Sequence, residues 1–278
     1  MNSPGIDVVL PGGLARNGCI ERRARFHALT GRMEQSLIEL ERGLDRPLYV
    51  TAVLGATLKS IGKQPADVAC VADLCVADRQ YLMLRLAAML NGEQMWLKVT
   101  CAHCASPFDV EVRRCDLPVK EAGQEFPTVT LQTEAWEVDI RVPTGADQAN
   151  IGDQSEEEAM HQLLQDCILS VNGSPPEKGF INSLSATDIE AIDEALDEAS
   201  PAVCNQLRVT CPECAREQYA DLDHYVPAEM NRHTFYDEVH TLASHYHWSE
   251  SAILDLPQAR RRLYLDLINR SAGMTGQG

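Results

Sequence analysis

The sequence predicts an α+β protein: a duplicated helix-plus-β-hairpin module joined by a four-cysteine site, with an N-terminal hairpin and helical arm in front and a helical C-terminal tail behind. Three observations predict it. Val-Thr-Cys-Ala-His-Cys, Val99 to Cys104, returns nearly unchanged as Val-Thr-Cys-Pro-Glu-Cys, Val209 to Cys214. Other residues match at the same spacing of 110: Leu74 with Leu184, Asp78 with Asp188, Leu82 with Ile192, Leu86 with Leu196, and Leu97 to Cys101 with Leu207 to Cys211. Short segments with the period-two alternation of strands flank the cysteine pairs.

A Cys-x-x-Cys turn points two sulfurs at one spot, and two such turns brought together offer the tetrahedral set that suits Zn²⁺. The expected site is one structural zinc ion held by Cys101, Cys104, Cys211 and Cys214, closed like a zinc ribbon. The gap between the pairs is longer than an ordinary ribbon loop, which leaves one shared site and two half-sites both open. Because one half supplies only two sulfurs, a shared ion would rivet the halves together. His103 stands between two of the ligands, where a side chain faces outward over the turn. The other cysteines, Cys19, Cys70, Cys75, Cys115, Cys167 and Cys204, read as small core hydrophobes. Cys115 and Cys204 lie near the turns in sequence and are the substitutes to watch.

The 278 residues suffice for a sizeable core. No run approaches the roughly 20 apolar residues of a membrane span, and the start lacks the pattern of a signal peptide. Ten cysteines without a secretion signal point to thiols and metal rather than disulfides. A net charge of −17 speaks against nucleic acid as a partner. Between Asp153 and Glu198 stand twelve Asp and Glu against Lys178 alone, either a solvated face or a dock for a basic partner surface.

In chain order, the first element is a hairpin from Asp7 to Leu10 and Ile20 to His27, with its turn at Pro11-Gly12-Gly13. Helices are expected from Arg32 to Glu41 and from Pro47 to Ile61. Gly55 to Lys63 is not a phosphate-binding loop, since the glycine spacing is too long and Gln64 stands where a hydroxyl is required. Asp78 is expected to cap a helix with the stripe Leu82, Leu86, Met89 and Leu90, ended by Asn91-Gly92. Strands Gln94 to Thr100 and Phe108 to Val112 flank the first cysteine pair. A second hairpin spans Thr128 to Val142 and ends at Pro143-Thr144-Gly145. A helix from Glu156 to Val171 follows, with the capping box Ser155 and Glu158.

Another helix runs from Ser185 towards Pro201, and strands Asn205 to Thr210 and Gln218 to Leu222 enclose the second pair. The tail carries the stripe Phe235, Val239, Leu242 and Tyr246, a short turn from Ser249 to Leu254, and a last helix opened by Pro257. Its region holds His224, His233, His240, His245 and His247, none paired at the i, i+4 spacing of helical zinc ligands. The expected domains are residues 1–76, the zinc-stapled core 77–226 and the tail 227–278.

Two patches bear a resemblance. Asp78 to Arg85 with Trp96 to Cys104, and Tyr246 to Glu250 with Ile253 to Pro257 and Arg260 to Tyr264, are similar to the baseplate hub and hub-assembly proteins of contractile T-even-type phage tails and phage-like injection systems. The resemblance spans most of Asp78 to Arg270 and leaves Met1 to Cys75 unmatched. It implies a non-enzymatic structural or assembly protein, cytoplasmic during assembly or part of the particle, with other baseplate, hub or spike proteins as partners and no small-molecule substrate. The alternatives are a nucleic-acid-binding zinc ribbon, which calls for a basic stripe absent around Cys211, and a Cys-x-x-Cys oxidoreductase, which calls for a βαβ context. No His-Glu-x-x-His or Gly-x-Ser-x-Gly motif occurs.

Overall fold

The computed structural model of the protein describes residues 5–16, 18–40, 44–133, 136–152, 154–177, 179–224 and 232–275. The chain begins with an antiparallel hairpin, β1 (Asp7–Arg16) and β2 (Cys19–Phe26). Its reversal falls between Arg16 and Cys19, not at Pro11-Gly12-Gly13, which forms a bulge inside β1 where the register shifts between Val9 and Leu14. The cause is distant in sequence. Both carboxylate oxygens of Asp78 accept the N–H groups of Gly12 and Gly13, at 2.8 and 2.6 Å. Gly13 takes a φ of 107°, open to glycine and strained for other residues.

Thr30 caps α1 (Gly31–Glu39), and Asp45 caps α2 (Arg46–Thr57), which has Pro47 in its first turn. The helix expected to reach Ile61 stops at Thr57. Leu58–Ile61 is instead β3, paired with β2, and β4 (Gln64–Pro65) completes a four-stranded sheet. In β3 the ends Leu58 and Ile61 are buried; a four-residue run of this kind fits either period, and pairing to β2 decides it. Asp67 caps a short α3 (Val68–Ala72), and Cys75 takes the cap position of α4 (Val76–Asn91). Asp78 is therefore not the cap of α4, because its side chain is spent on the β1 bulge. Gly92 ends the helix at φ 85°.

The first cysteine hairpin, β5 (Gln94–Thr100) and β6 (Pro107–Arg113), follows, and then β7 (Val119–Lys120). The next hairpin is β8 (Thr128–Gln132) and β9 (Glu137–Arg141). Thr144 caps α5 (Gly145–Ile151), and the predicted capping box of Ser155 and Glu158 opens α6 (Glu156–Cys167). Here too the helix is shorter than expected, since Ile168–Val171 forms β10 against β9. After α7 (Ala186–Ala199) come β11 (Ala202–Val203), paired with β7, and the second cysteine hairpin, β12 (Gln206–Thr210) and β13 (Glu217–Asp221). The tail is α8 (Arg232–Tyr246), α9 (Glu250–Leu254) and α10 (Gln258–Thr275). The expected boundary at 226 and 227 and the last three residues lie outside the described residues.

One apolar core gathers Leu10, Phe26, Leu54, Leu74 and Leu82 between the first sheet and its helices; a second gathers Val138, Ile140, Leu164 and Ile192. Buried cations tie the parts together. Arg79, 0% exposed, donates to the carbonyls of Val71 and Pro47 at 3.1 and 2.7 Å and lies against Gly145, whose N–H donates to Leu74 O at 3.0 Å. The tail uses the same device. Arg261, also 0% exposed, forks onto both oxygens of Glu34 at 2.8 and 2.7 Å and lies against Gly31, whose N–H donates to Leu256 O at 3.1 Å. A buried guanidinium is tolerated only when such acceptors replace water.

A methyl group on Gly145 would sit 2.3 Å from the Arg79 guanidinium. Gly145→Ala should therefore lower the unfolding free energy by about 2 to 3 kcal/mol in urea denaturation. Gly55, inside α2 with only ordinary contacts to Val68, gives the opposite sign: Gly55→Ala should stabilise by about 0.5 to 1 kcal/mol. Acid titration offers a second check. Burial alone would raise the carboxyl pKa of Asp147, but the fork from Arg141 at 2.6 Å and the N–H and hydroxyl of Thr144 outweigh it and hold the group below its ordinary 3.8. Its contribution is complete above the ordinary value and is lost as pH falls through the lowered native one. Asp147→Asn should flatten part of the loss of stability below about pH 4; an unchanged acid limb would contradict the pairing.

Candidate metal centre

The hairpins β5–β6 and β12–β13 are separate two-stranded sheets, with no strand ladder between them. Their facing sides bury Val99, Val209 and Ala220, with Leu97, Phe108, Val110 and Leu207 packed around them. Val99 and Val209 are matched positions of the sequence repeat, and burying each is worth about 1.5 to 3 kcal/mol. At the tips the same turn is built twice. Cys101 N–H donates to Ser106 O at 3.0 Å and Ala105 N–H to Cys101 O at 2.9 Å; Cys211 N–H donates to Arg216 O at 3.0 Å and Ala215 N–H to Cys211 O at 2.9 Å. Ala105 and Ala215 sit at φ 59° and 57°, left-handed positions that cost a residue with a Cβ about 1 to 2 kcal/mol.

These turns bring the sulfurs of Cys101, Cys104, Cys211 and Cys214 within 4.8 Å of one another. Cys101 lies 3.7 Å from Cys214 and Cys104 3.7 Å from Cys211, sulfur to sulfur. Disulfide sulfurs would be about 2.05 Å apart. Four thiolates at the usual ~2.3 Å from zinc stand roughly 3.8 Å apart at the corners of a tetrahedron, so the spacing is compatible with a metal ion. Cys101 and Cys211 are buried and Cys104 is exposed. An ion taking all four would have no position left for water or substrate.

The thiols do not ionise independently. Backbone N–H groups of Cys104 and His103 lower the pKa of Cys101, and the backbone and hydroxyl of Ser106 pull Cys104 down to about 6. Cys214 is pushed up to about 11: the Arg216 N–H favours its thiolate, but burial and the three neighbouring sulfurs prevail. Four thiolates this close would need a cation among them. A polar clip adds to the join. Gln218 on β13 accepts from Ala102 N at 2.8 Å and donates to Thr100 O at 3.2 Å. This clip has no counterpart in the repeat, since the matched position in the first hairpin is Phe108.

The remaining candidates lie elsewhere. His103 Nδ1 faces Arg216 at 3.3 Å. Cys115 donates to Asp116 at 3.5 Å and Cys204 to Gln206 O at 3.1 Å, and neither joins the four sulfurs. Cys75 and Cys167 are buried thiols; burial pushes the first well above its ordinary pKa and the second to about 12. His224 donates to Cys204 O at 2.7 Å, and burial lowers its pKa. Among the described residues, the four cysteines are the one group of metal-ligating side chains whose donor atoms converge.

Fold and site thus define a class: a mixed α/β protein with two cysteine hairpins meeting at a thiol cluster suited to metal. The family of the T4 bacteriophage base plate protein matches residues 24–225, and the chain belongs to that family. The match includes both hairpins and begins well ahead of Asp78, where the resemblance in sequence starts; it ends before the tail patch. No curated protein and no solved structure matches the chain. No described helix is long and apolar enough to cross a membrane.

If the four thiols hold one ion, elemental analysis should find one zinc per chain. Cys101→Ser should lose it together with the cooperative melt, whereas Cys115→Ser should keep both; full zinc and an unchanged melt in Cys101→Ser would exclude the site.

Proposed function

We propose that the protein is a structural or assembly component of the baseplate of a contractile phage tail or related injection particle, acting in the hub region as a zinc-stabilised adaptor between proteins. One observation carries the reading: within a chain of the base plate family, four thiols pair across the two hairpins at 3.7 Å, a set that would leave one shared ion no open coordination position. Zinc binding at such a cluster is folding free energy, on the order of 10 kcal/mol in small zinc modules. Its use here would be mechanical, keeping the hairpins from parting when neighbouring subunits load them. No catalysis is part of the reading.

The duplicated arrangement belongs to the same proposal. Supporting it, hairpin, Thr-capped helix, second helix, third strand, a later helix and cysteine hairpin follow in the same order over residues 7–113 and 128–221, with β4 and α3 added before the later helix in the first stretch and β11 after it in the second. Residues 77–226 are then the stapled core, with 1–76 and 227–278 as its flanks. Partners are other baseplate, hub or spike proteins, met in the cytoplasm while the particle is built.

Affinity purification from cells producing particles, followed by mass spectrometry, tests this. Baseplate components should be recovered with the wild-type chain and be depleted with Cys101→Ser; recovery of none with the wild type would overturn the adaptor role.

A further inference from the structure

We infer that an apolar groove between α4, α6 and α7 binds an amphipathic, basic segment of a partner protein. The groove has a volume of about 660 Å³ and opens between Leu163 of α6 and Ile189 and Leu196 of α7, with Leu164, Ile192 and Val142, already buried in the core, as its floor. The α7 residues recur at three- and four-residue steps and so form one stripe along the helix. Met160 stands at the mouth, 44% exposed although apolar.

Charge selects the occupant. Glu190, Asp193 and Asp197 also line the groove, and their spacing sets them in a second row one turn apart beside the apolar stripe. None of the three forms an ion pair among the described residues, and no Lys or Arg lines the groove. Lys120 reaches this end of α7 but donates to the carbonyls of Asp197 and Glu198, not to the carboxylates. Whatever covers the apolar stripe also removes water from that acidic row. A neutral or acidic occupant would leave three uncompensated carboxylates, whereas Lys or Arg beside its apolar face would pair them. Anionic lipid surfaces are disfavoured on the same ground. The chain's own basic run is engaged elsewhere, with Arg261 buried on Glu34 and Arg262 donating to Leu90 O. A helix laid in a groove, anchored by residues one turn apart, fits this pattern.

The inference rests on the adaptor reading but is tested apart from any particle. The probe is a fluorescein-labelled helical peptide of Leu and Lys with leucines at i, i+3, i+4 and i+7, added to the full-length zinc-loaded protein. Fluorescence anisotropy should show saturable binding, and peptides with Leu replaced by Ser or Lys replaced by Glu should bind at least about tenfold more weakly. Met160→Glu, a change at an exposed position, should weaken binding about tenfold, as should Asp193→Lys with Asp197→Lys. Asp109→Lys with Glu111→Lys, an equal charge change on β6 outside the groove, should leave it within about twofold. Equal binding of the Ser and Lys peptide, or wild-type affinity in Met160→Glu, would overturn the groove. If baseplate components co-purify while the Leu and Lys peptide fails to bind, the groove assignment falls and the adaptor role stands.

Discussion

The start of α4 is where the structure is tied together. Two neighbouring residues there, Asp78 and Arg79, are both 0% exposed and reach in different directions. Asp78 bends β1 by taking two of its N–H groups, which shapes the first sheet. Arg79 holds the carbonyls of Pro47 in α2 and Val71 in α3, and its flat guanidinium is the surface on which Gly145 rests. Remove either charge and the other elements lose the group that satisfies their polar atoms, which makes such a node costlier to break than any single apolar contact nearby.

Away from that node the chain makes a second junction at the cysteine hairpins, where a small apolar core, a glutamine clip and four sulfurs meet. Two attachments well separated along the chain resist rotation in a way that one cannot. A rigid frame of this sort suits a part that holds neighbours at fixed positions, and membership of the base plate family accords with it.

Much of this was legible. The cysteine words pointed to a shared site while leaving two half-sites open, the box of Ser155 and Glu158 announced α6, and Asn91-Gly92 announced the end of α4. What escaped was decided by partners far along the chain. Leu58 to Ile61 and Ile168 to Val171 continue helical runs without a break in composition, and become strands only because β2 and β9 offer an open edge. Pro11-Gly12-Gly13 has the chemistry of a turn until Asp78 claims its N–H groups. The buried arginines had a signal of a different period: Asp73, Leu74 and Arg79 recur as Asp255, Leu256 and Arg261 at a spacing of 182, invisible to a comparison anchored on the cysteines.

The distance along the chain between the two cysteine turns has a consequence for synthesis. A ribosome adding 5 to 20 residues per second needs roughly 5 to 20 s to deliver the second turn after the first. Throughout that interval Cys101 and Cys104 face the cell as a lone dithiol, open to oxidation and to loose capture of metal. Completion of the centre therefore reports that translation has passed residue 214, and a chain truncated before it would carry an unfinished clasp.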